Sequence, residues 1–408
     1  MLLAHLLRHL ITLGTLRLVD ADGRVHQFGG GPGPAVSIRL HDRALHRRLF
    51  FNPRLHLGEA FMAGSLTVED GTIYDFLELI TRNVEVAPPS PMRPIYNGFG
   101  KLFRSLQQHN PVTRARSNVA HHYDLSDRLY ELFLDSDRQY SCAYFTGADD
   151  DLETAQQAKK RHLAAKLLLR PGMHVLDIGC GWGGLALYLA REYGVEVTGL
   201  TLSEEQLKVA RQRAAAAGLG ERVRFHLRDY REEMRSFDRI VSVGMFEHVG
   251  VPHYGTFFAA LKRLLASDGV ALLHSIGRAD GPGSTNPWVR KYIFPGGYSP
   301  AVSEVVPVVE RSGLWITDIE ILRLHYAKTL RLWQGRFQVN REQVKQLYDE
   351  RFCRMWEFYL AGSELAFRHG GHINFQMQIA KQIDAVPLTR DYMFEQERNR
   401  AAIAAAAE

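Results

Sequence analysis

The sequence predicts an α/β protein built on a doubly wound, mainly parallel sheet, with a smaller α+β domain in front of it. Three observations predict this. From about residue 170, short apolar runs alternate with helical stretches, the pattern of strands joined by crossover helices. The first run ends in a glycine-rich turn, Gly179-Cys180-Gly181-Trp182-Gly183-Gly184, and a helical stretch follows. Upstream, Ala87-Pro88-Pro89-Ser90-Pro91-Met92-Arg93-Pro94 can continue neither a helix nor a central strand, and it divides the chain.

The N-terminus opens with Leu3, Leu6, Leu7 and Leu10 at the spacing of an amphipathic helix. His5, Arg8 and His9 interrupt the run and no small-residue cleavage site follows, which argues against a signal peptide. Strand-like runs at 16–19 and 36–40 flank a glycine-rich turn at 29–33. Arg39, Arg43, Arg47, Arg48 and Arg54, with His41 and His46 among them, make a basic face. Such a face is either simply solvated or a seat for anionic headgroups. The expected boundaries are 1–87 for a lipid-docking or dimerisation module and 88–117 for a linker. A catalytic domain with a C-terminal helical extension fills 118–390, and 391–408 is a tail.

In the second domain the expected strands are 173–178, 195–200, 223–227, 239–243 and 270–275. Ser203, with Gln206 three residues on, reads as a capping box opening a helix that ends near Gly218. A further helix near 254–265 separates the last two strands. There is no internal repeat, and low complexity is confined to the alanine-rich end at 401–407.

With 408 residues the chain can bury two cores. Its formal charge of +5 suits an anionic membrane surface or a nucleic acid and decides for neither. No basic stripe with interleaved aromatics appears, which disfavours nucleic acid. Cys142, Cys180 and Cys353 lie far apart, against both a disulfide framework and a zinc site and in favour of a reducing, cytoplasmic setting. His121 and His122 are adjacent and lack partners at zinc spacing, so no metal is expected. No stretch reaches the roughly 20 apolar residues that span a bilayer, so membrane contact is expected to be peripheral, on the inner face.

The glycine turn has two readings. Gly179, Gly181 and Gly184 satisfy a dinucleotide fingerprint, but that fold expects a carboxylate at the tip of the second strand for the ribose. Here the strand runs into Gly199-Leu200-Thr201-Leu202-Ser203, with no acid at its tip. Asp177, two residues before the first glycine, is similar instead to the pattern of S-adenosylmethionine-dependent methyltransferases.

An ordered set of further segments then stands out. The set comprises His122-Tyr123-Asp124-Leu125, Tyr140-Ser141-Cys142-Ala143-Tyr144-Phe145, Gln156-Gln157-Ala158-Lys159 and the 176–184 turn. It continues with the stretch 238–250 around Glu247-His248, then His274-Ser275-Ile276-Gly277 and Lys291-Tyr292-Ile293-Phe294-Pro295-Gly296-Gly297. Together these segments resemble one family, the cyclopropane-fatty-acyl-phospholipid synthases and mycolic acid cyclopropane synthases; the resemblance covers roughly 118–370 and implies a methyltransferase fold.

It also implies the chemistry. An alkene attacks the methyl carbon of S-adenosylmethionine, and the resulting carbocation closes a cyclopropane ring when the new methyl loses a proton to a nearby base. In the family that base is a bound bicarbonate, and the resemblance assigns its ligands here to Cys142, Glu247, His274, the Ile276 backbone and Tyr326. Taken singly, Glu247 would cap the next segment, His274 would be an interior histidine and Cys142 a small buried apolar residue. Tyr144, Tyr292 and Phe294 are expected to offer ring faces to the cation.

For the cosubstrate the resemblance points to Tyr140, Ser141, Asp177, Gly179, Gly181 and Gly183, with Thr201 and Gln206 at the ribose and Asp229 and Tyr230 at the adenine. Serine stands at position 363, where some family members carry a cysteine. The expected partners are an unsaturated, anionic phospholipid bilayer and a second copy of the chain. A methyl- or methylene-branched lipid is the alternative product.

Overall fold

Five of the apolar runs form the parallel part of a seven-stranded sheet in the computed structural model, which describes residues 2–86 and 126–407. The expected linker, His121 and the segment 122–125 lie outside those residues. The described chain divides into two units, one of residues 2–86, 284–295 and 327–372, the other of 126–283, 296–326 and 373–407.

The first unit opens with helix α1 (Leu2–Leu10), strands β1 (Thr15–Val19), β2 (Val25–Gly29) and β3 (Ala35–Leu40), and helices α2 (Leu45–Phe51) and α3 (Pro53–Met62). Strand β4 (Leu66–Asp70) and helix α4 (Ile73–Val86) follow, and the sheet order is β2-β1-β3-β4. Leu3 and Leu7 of α1 pack into the core with Leu16, Leu18, Val36 and Ile38. Leu6, expected on the apolar stripe, instead faces outward at 39% exposure, because the buried face of this short helix is only one leucine wide.

In the second unit come α5 (Asp127–Phe133), α6 (Leu152–Lys166), β5 (His174–Ile178), α7 (Gly184–Tyr193), β6 (Glu196–Thr201), α8 (Glu204–Ala216) and β7 (Val223–Leu227). Strand β8 (Phe237–Val243), helix α9 (Tyr254–Leu264) and strand β9 (Leu265–Arg278) complete the alternation. Strand β5 pairs in parallel with β6 and β8, and β8 in parallel with β9. Alternation sends Leu176 and Ile178 to one apolar layer and Val175 to the other, so both faces of the sheet are covered.

Farther along lie α10 (Pro287–Tyr292), α11 (Val302–Ser312), β10 (Trp315–Ile321), α12 (His325–Val339), α13 (Arg341–Leu347), α14 (Glu350–Arg368), β11 (His372–Ala380) and α15 (Asp391–Ala407). Helix α14 packs on α4 and α3 in the first unit, where Ala361 and Leu365 join the N-terminal core and Ser363 is half-buried. Strands β10 and β11 pair antiparallel at one edge of the seven-stranded sheet, an addition the helical reading of the C-terminal region did not foresee. The expected tail is helix α15, packed along α6. It is held there by the Tyr392 hydroxyl, 2.7 Å from Gln378 Nε2.

Candidate active site

The loops that leave the carboxyl ends of β5, β6, β7 and β8 enclose a cleft of about 1240 Å³, its mouth included. Open parallel sheets gather ligands at this edge. The turn after β5 runs through Gly179, Gly181 and Gly183, all with left-handed φ (85°, 54° and 82°). A Cβ on Gly181 would meet nothing within 4 Å, so its backbone lies open to a ligand. Gly183 differs from its expected role. A Cβ there would sit 2.6 Å from Phe225 and 3.1 Å from Ala210, so it permits helix-on-sheet packing, and Gly184 lines the cleft instead.

Asp177 lines the cleft with Oδ2 buried and unpartnered. Burial pushes its carboxyl up to about 7, with Lys159 pulling the other way. A cationic group entering the cleft would restore the carboxylate. Thr201 donates to Gln206 Oε1 at 2.9 Å, while the Ser203 hydroxyl caps α8 by accepting from the Gln206 N–H. The return half of the expected capping box is missing, because the Gln206 side chain is turned to Thr201 and the cleft. Asp229 is clamped by Arg231 at 2.7 Å, and Tyr230 packs edge-on against Phe257 at the far wall. Tyr140 and Ser141 close the opposite side.

The family segment 156–159 acquires a purpose here. Lys159 Nζ donates to Gln139 Oε1 at 2.5 Å and to Ser141 Oγ at 2.8 Å, and Gln156 Nε2 donates to the Ser141 carbonyl at 3.0 Å. Helix α6 thereby pins the loop that carries Tyr140 and Ser141. Burial holds Lys159 down to about 8. Arg138, Gln139, Trp182, Met245 and His248 also line the cleft, and the sequence had not singled them out as ligand contacts. Met245 had a signal in Gly179, whose missing Cβ makes room for it at 2.8 Å.

The five residues expected to hold an anion come as two joined pairs of segments. Glu247 lies in a short 3₁₀ turn after β8, and its Oε1 accepts from the Ile276 N–H at 2.7 Å. Its Oε2 is buried without a partner, and burial pushes the carboxyl up to about 7. His274 stands two residues before Ile276 on β9, so the side chains of these two residues project to the same face. Its Nε2 is also buried and unpartnered. The Ile276 N–H thus orients the Glu247 carboxylate. Cys142 and Tyr326 are both buried. Their segments meet where His325 Nδ1 accepts from the Phe145 N–H at 2.9 Å and stacks on Tyr144 at 4.8 Å.

The aromatic expectation is corrected at Tyr144. Tyr144 is stacked between His162 and His325, at 4.0 and 4.8 Å, so both ring faces are occupied. Tyr292 carries Lys291 over its ring at 5.0 Å and donates its hydroxyl to Glu59, and the Phe294 and Tyr359 rings meet at 75° with centres 5.9 Å apart. Among the described residues no group of three His, Cys, Asp or Glu side chains is arranged to hold a metal ion, and no helix is long and apolar enough to cross a membrane.

Comparison with known proteins agrees with this geometry. Residues 110–377 match the family described as mycolic acid cyclopropane synthetase, and residues 2–87 match a domain of unknown function (DUF7884). The chain is 38% identical over 392 residues to a probable fatty acid methyltransferase of Pseudomonas putida, covering 93% of this chain and 96% of that one. It is 40% identical over 338 residues to the cyclopropane-fatty-acyl-phospholipid synthase of Escherichia coli K12, covering 83% and 86%. The solved structure of mycolic acid cyclopropane synthase CmaA1, complexed with SAH and CTAB, superposes with a TM-score of 0.62 at 37% identity, over 67% of this chain and 99% of that one. The chain belongs to the mycolic acid cyclopropane synthetase family, S-adenosylmethionine-dependent transferases that carry out cyclopropane or methyl transfer to lipid acyl chains.

Proposed function

We propose that the protein is a cyclopropane-fatty-acyl-phospholipid synthase acting on the cis double bond of an unsaturated acyl chain in a membrane phospholipid, with bound bicarbonate as proton acceptor. The observation that carries this reading is the pair of buried, unpartnered polar atoms, Glu247 Oε2 and His274 Nε2, on segments tied together by the Ile276 N–H. Buried polar atoms without protein partners call for a water or a ligand, and two on joined segments suit a small anion. A small oxyanion that can both donate and accept fits a carboxyl poised near neutrality beside an imidazole. Bound there, bicarbonate would supply a proton acceptor. Glu247 orients it and can share its proton, and His274 hydrogen-bonds to an oxygen.

S-adenosylmethionine would supply the electrophilic methyl. Its ammonium suits Asp177, its ribose suits Thr201 and Gln206, and its adenine suits the wall of Asp229 and Tyr230. The first unit is proposed to seat the enzyme on the bilayer. Leu2, Leu6 and Phe51 stand out at 58, 39 and 59% exposure on α1 and α2, which pack together, and Arg47 and Arg48 lie exposed beside Phe51 in sequence. Arg39 and Arg43 pair instead with Glu69 and Asp22.

A second reading keeps the fold and ends in a methyl- or methylene-branched chain. It is favoured by the name and near-complete coverage of the Pseudomonas relative. Bicarbonate dependence tests the first reading. Turnover with S-adenosylmethionine and monounsaturated phospholipid vesicles should fall in CO₂-free buffer and recover on adding bicarbonate. Glu247→Gln should lose that response along with most activity. Turnover indifferent to bicarbonate would remove the anion from the mechanism.

A further inference from the structure

Strand β11 alternates Phe375, Met377 and Ile379 with Asn374, Gln376 and Gln378, the pattern of a strand with one wet face. Its polar face is nevertheless buried: Gln376 is fully enclosed, and Gln378 and Asn374 nearly so. Buried amides of this kind are retained where their hydrogen bonds specify something. Gln376 Oε1 accepts from Lys166 Nζ at 2.6 Å, and Gln376 Nε2 lies 3.2 Å from His274 Nδ1.

We propose that Lys166 and Gln376 are positioning residues that lock His274 in its Nε2–H tautomer, making it a hydrogen-bond donor to the bound anion and not the base that removes the proton. The inference rests on the reading of His274 as a ligand of that anion. Its logic is donor counting. An ammonium group has only donors, so the amide must turn its oxygen to Lys166 and its NH₂ to the imidazole. An NH₂ can only donate, so His274 Nδ1 must be the acceptor and the ring proton must sit on Nε2. That atom is the buried one without a partner.

Burial draws Lys166 down from the usual amine range, and its ion pair with Glu320 opposes this by favouring the ammonium and holds it in place. Burial alone would raise the Glu320 carboxyl, but its bonds from His162 and Lys166 bring it down to about 2. His162 in turn bridges Glu320 and Glu397 of α15, so the C-terminal helix secures the outer end of the chain of bonds. Burial, with Lys159 and Lys166 nearby, holds His274 well below the usual imidazole range, so the ring is neutral at working pH and its tautomer is a defined property.

The direct test is ¹⁵N NMR of the full-length protein labelled at histidine, with His274 assigned by difference from His274→Gln. The expected signature is a protonated Nε2 and an unprotonated Nδ1. A protonated Nδ1 on a neutral ring, or a rapid mixture of tautomers, overturns the proposal. Lys166→Arg keeps a pure donor and should keep the signature. Lys166→Met frees the amide to flip and should mix the tautomers, lowering kcat on the order of 10–100-fold while leaving KM for S-adenosylmethionine nearly unchanged. An equal loss in Lys166→Arg and Lys166→Met, with the wild-type tautomer kept in both, would overturn the link to catalysis. The NMR result does not depend on bicarbonate. A locked Nε2–H tautomer in an enzyme indifferent to bicarbonate would support the lock and refute the anion, so the two ideas can fail separately.

Discussion

Asp177 carries a carboxyl into a place where little but a ligand can satisfy it. Its pKa near 7 lies well above the ordinary carboxylate value, so the folded protein holds this proton more tightly than the unfolded chain. Stability of the ligand-free protein therefore declines as pH rises from about 4 toward 7, and the cost is fully present above that range. A cationic ligand reverses the balance by favouring the ionised form. Binding of S-adenosylhomocysteine, measured by calorimetry, should tighten between pH 6 and pH 7.5. Asp177→Asn should bind more weakly, lose that pH dependence and melt higher without ligand, by about 1 °C for each kcal/mol relieved. An unchanged pH profile in the variant would assign the titration elsewhere. What the sequence made legible here is placement: Asp177 and Thr201, expected through the resemblance, stand at the ends of β5 and β6 and line the cleft. The tautomer lock could not be read, since Lys166 and Gln376 are separated from His274 by 108 and 102 residues and meet it only through packing.

Elements whose residues alternate between two apolar layers were legible within a residue or two, as β5, β6 and β7 show. Strand β11 was not. Its polar positions are buried among polar partners, so neither a uniform apolar run nor a wet face describes it. Gly183 and Gly181 show the same limit on a smaller scale, since both take positive φ and the sequence offers no way to tell which opens to the ligand. Gly183→Ala would force a methyl onto Phe225 in a left-handed backbone, and should destabilise the protein by about 2–4 kcal/mol in chemical denaturation while the folded fraction still binds cosubstrate. Gly181→Ala meets open space and should cost only the backbone strain, about 1–2 kcal/mol, yet weaken cosubstrate binding. Equal effects of the two on affinity would refute this division of roles.

For the molecule as a whole, the proposed substrate defines the problem: phospholipid acyl chains lie in a bilayer, and no described helix is long and apolar enough to cross one. If α1 and α2 of the first unit seat the enzyme, then Leu6→Ser with Phe51→Ser, or Arg47→Gln with Arg48→Gln, should weaken sedimentation with anionic vesicles. The basic pair should contribute about 1 kcal/mol per residue at low salt, screened as salt rises. All four side chains are exposed, so melting temperatures should not move, and vesicle binding unaffected by both pairs would locate the docking surface elsewhere. The central claim is the closing of a ring on an acyl double bond, and the structure of the lipid product tests it most directly. Vesicles of a cis-monounsaturated phospholipid, incubated with enzyme and S-adenosylmethionine, should yield a chain one CH₂ heavier that no longer reacts with ozone. A chain of the same added mass that still cleaves with ozone would show a methyl or methylene branch, and no added carbon at all would place the acceptor outside phospholipid.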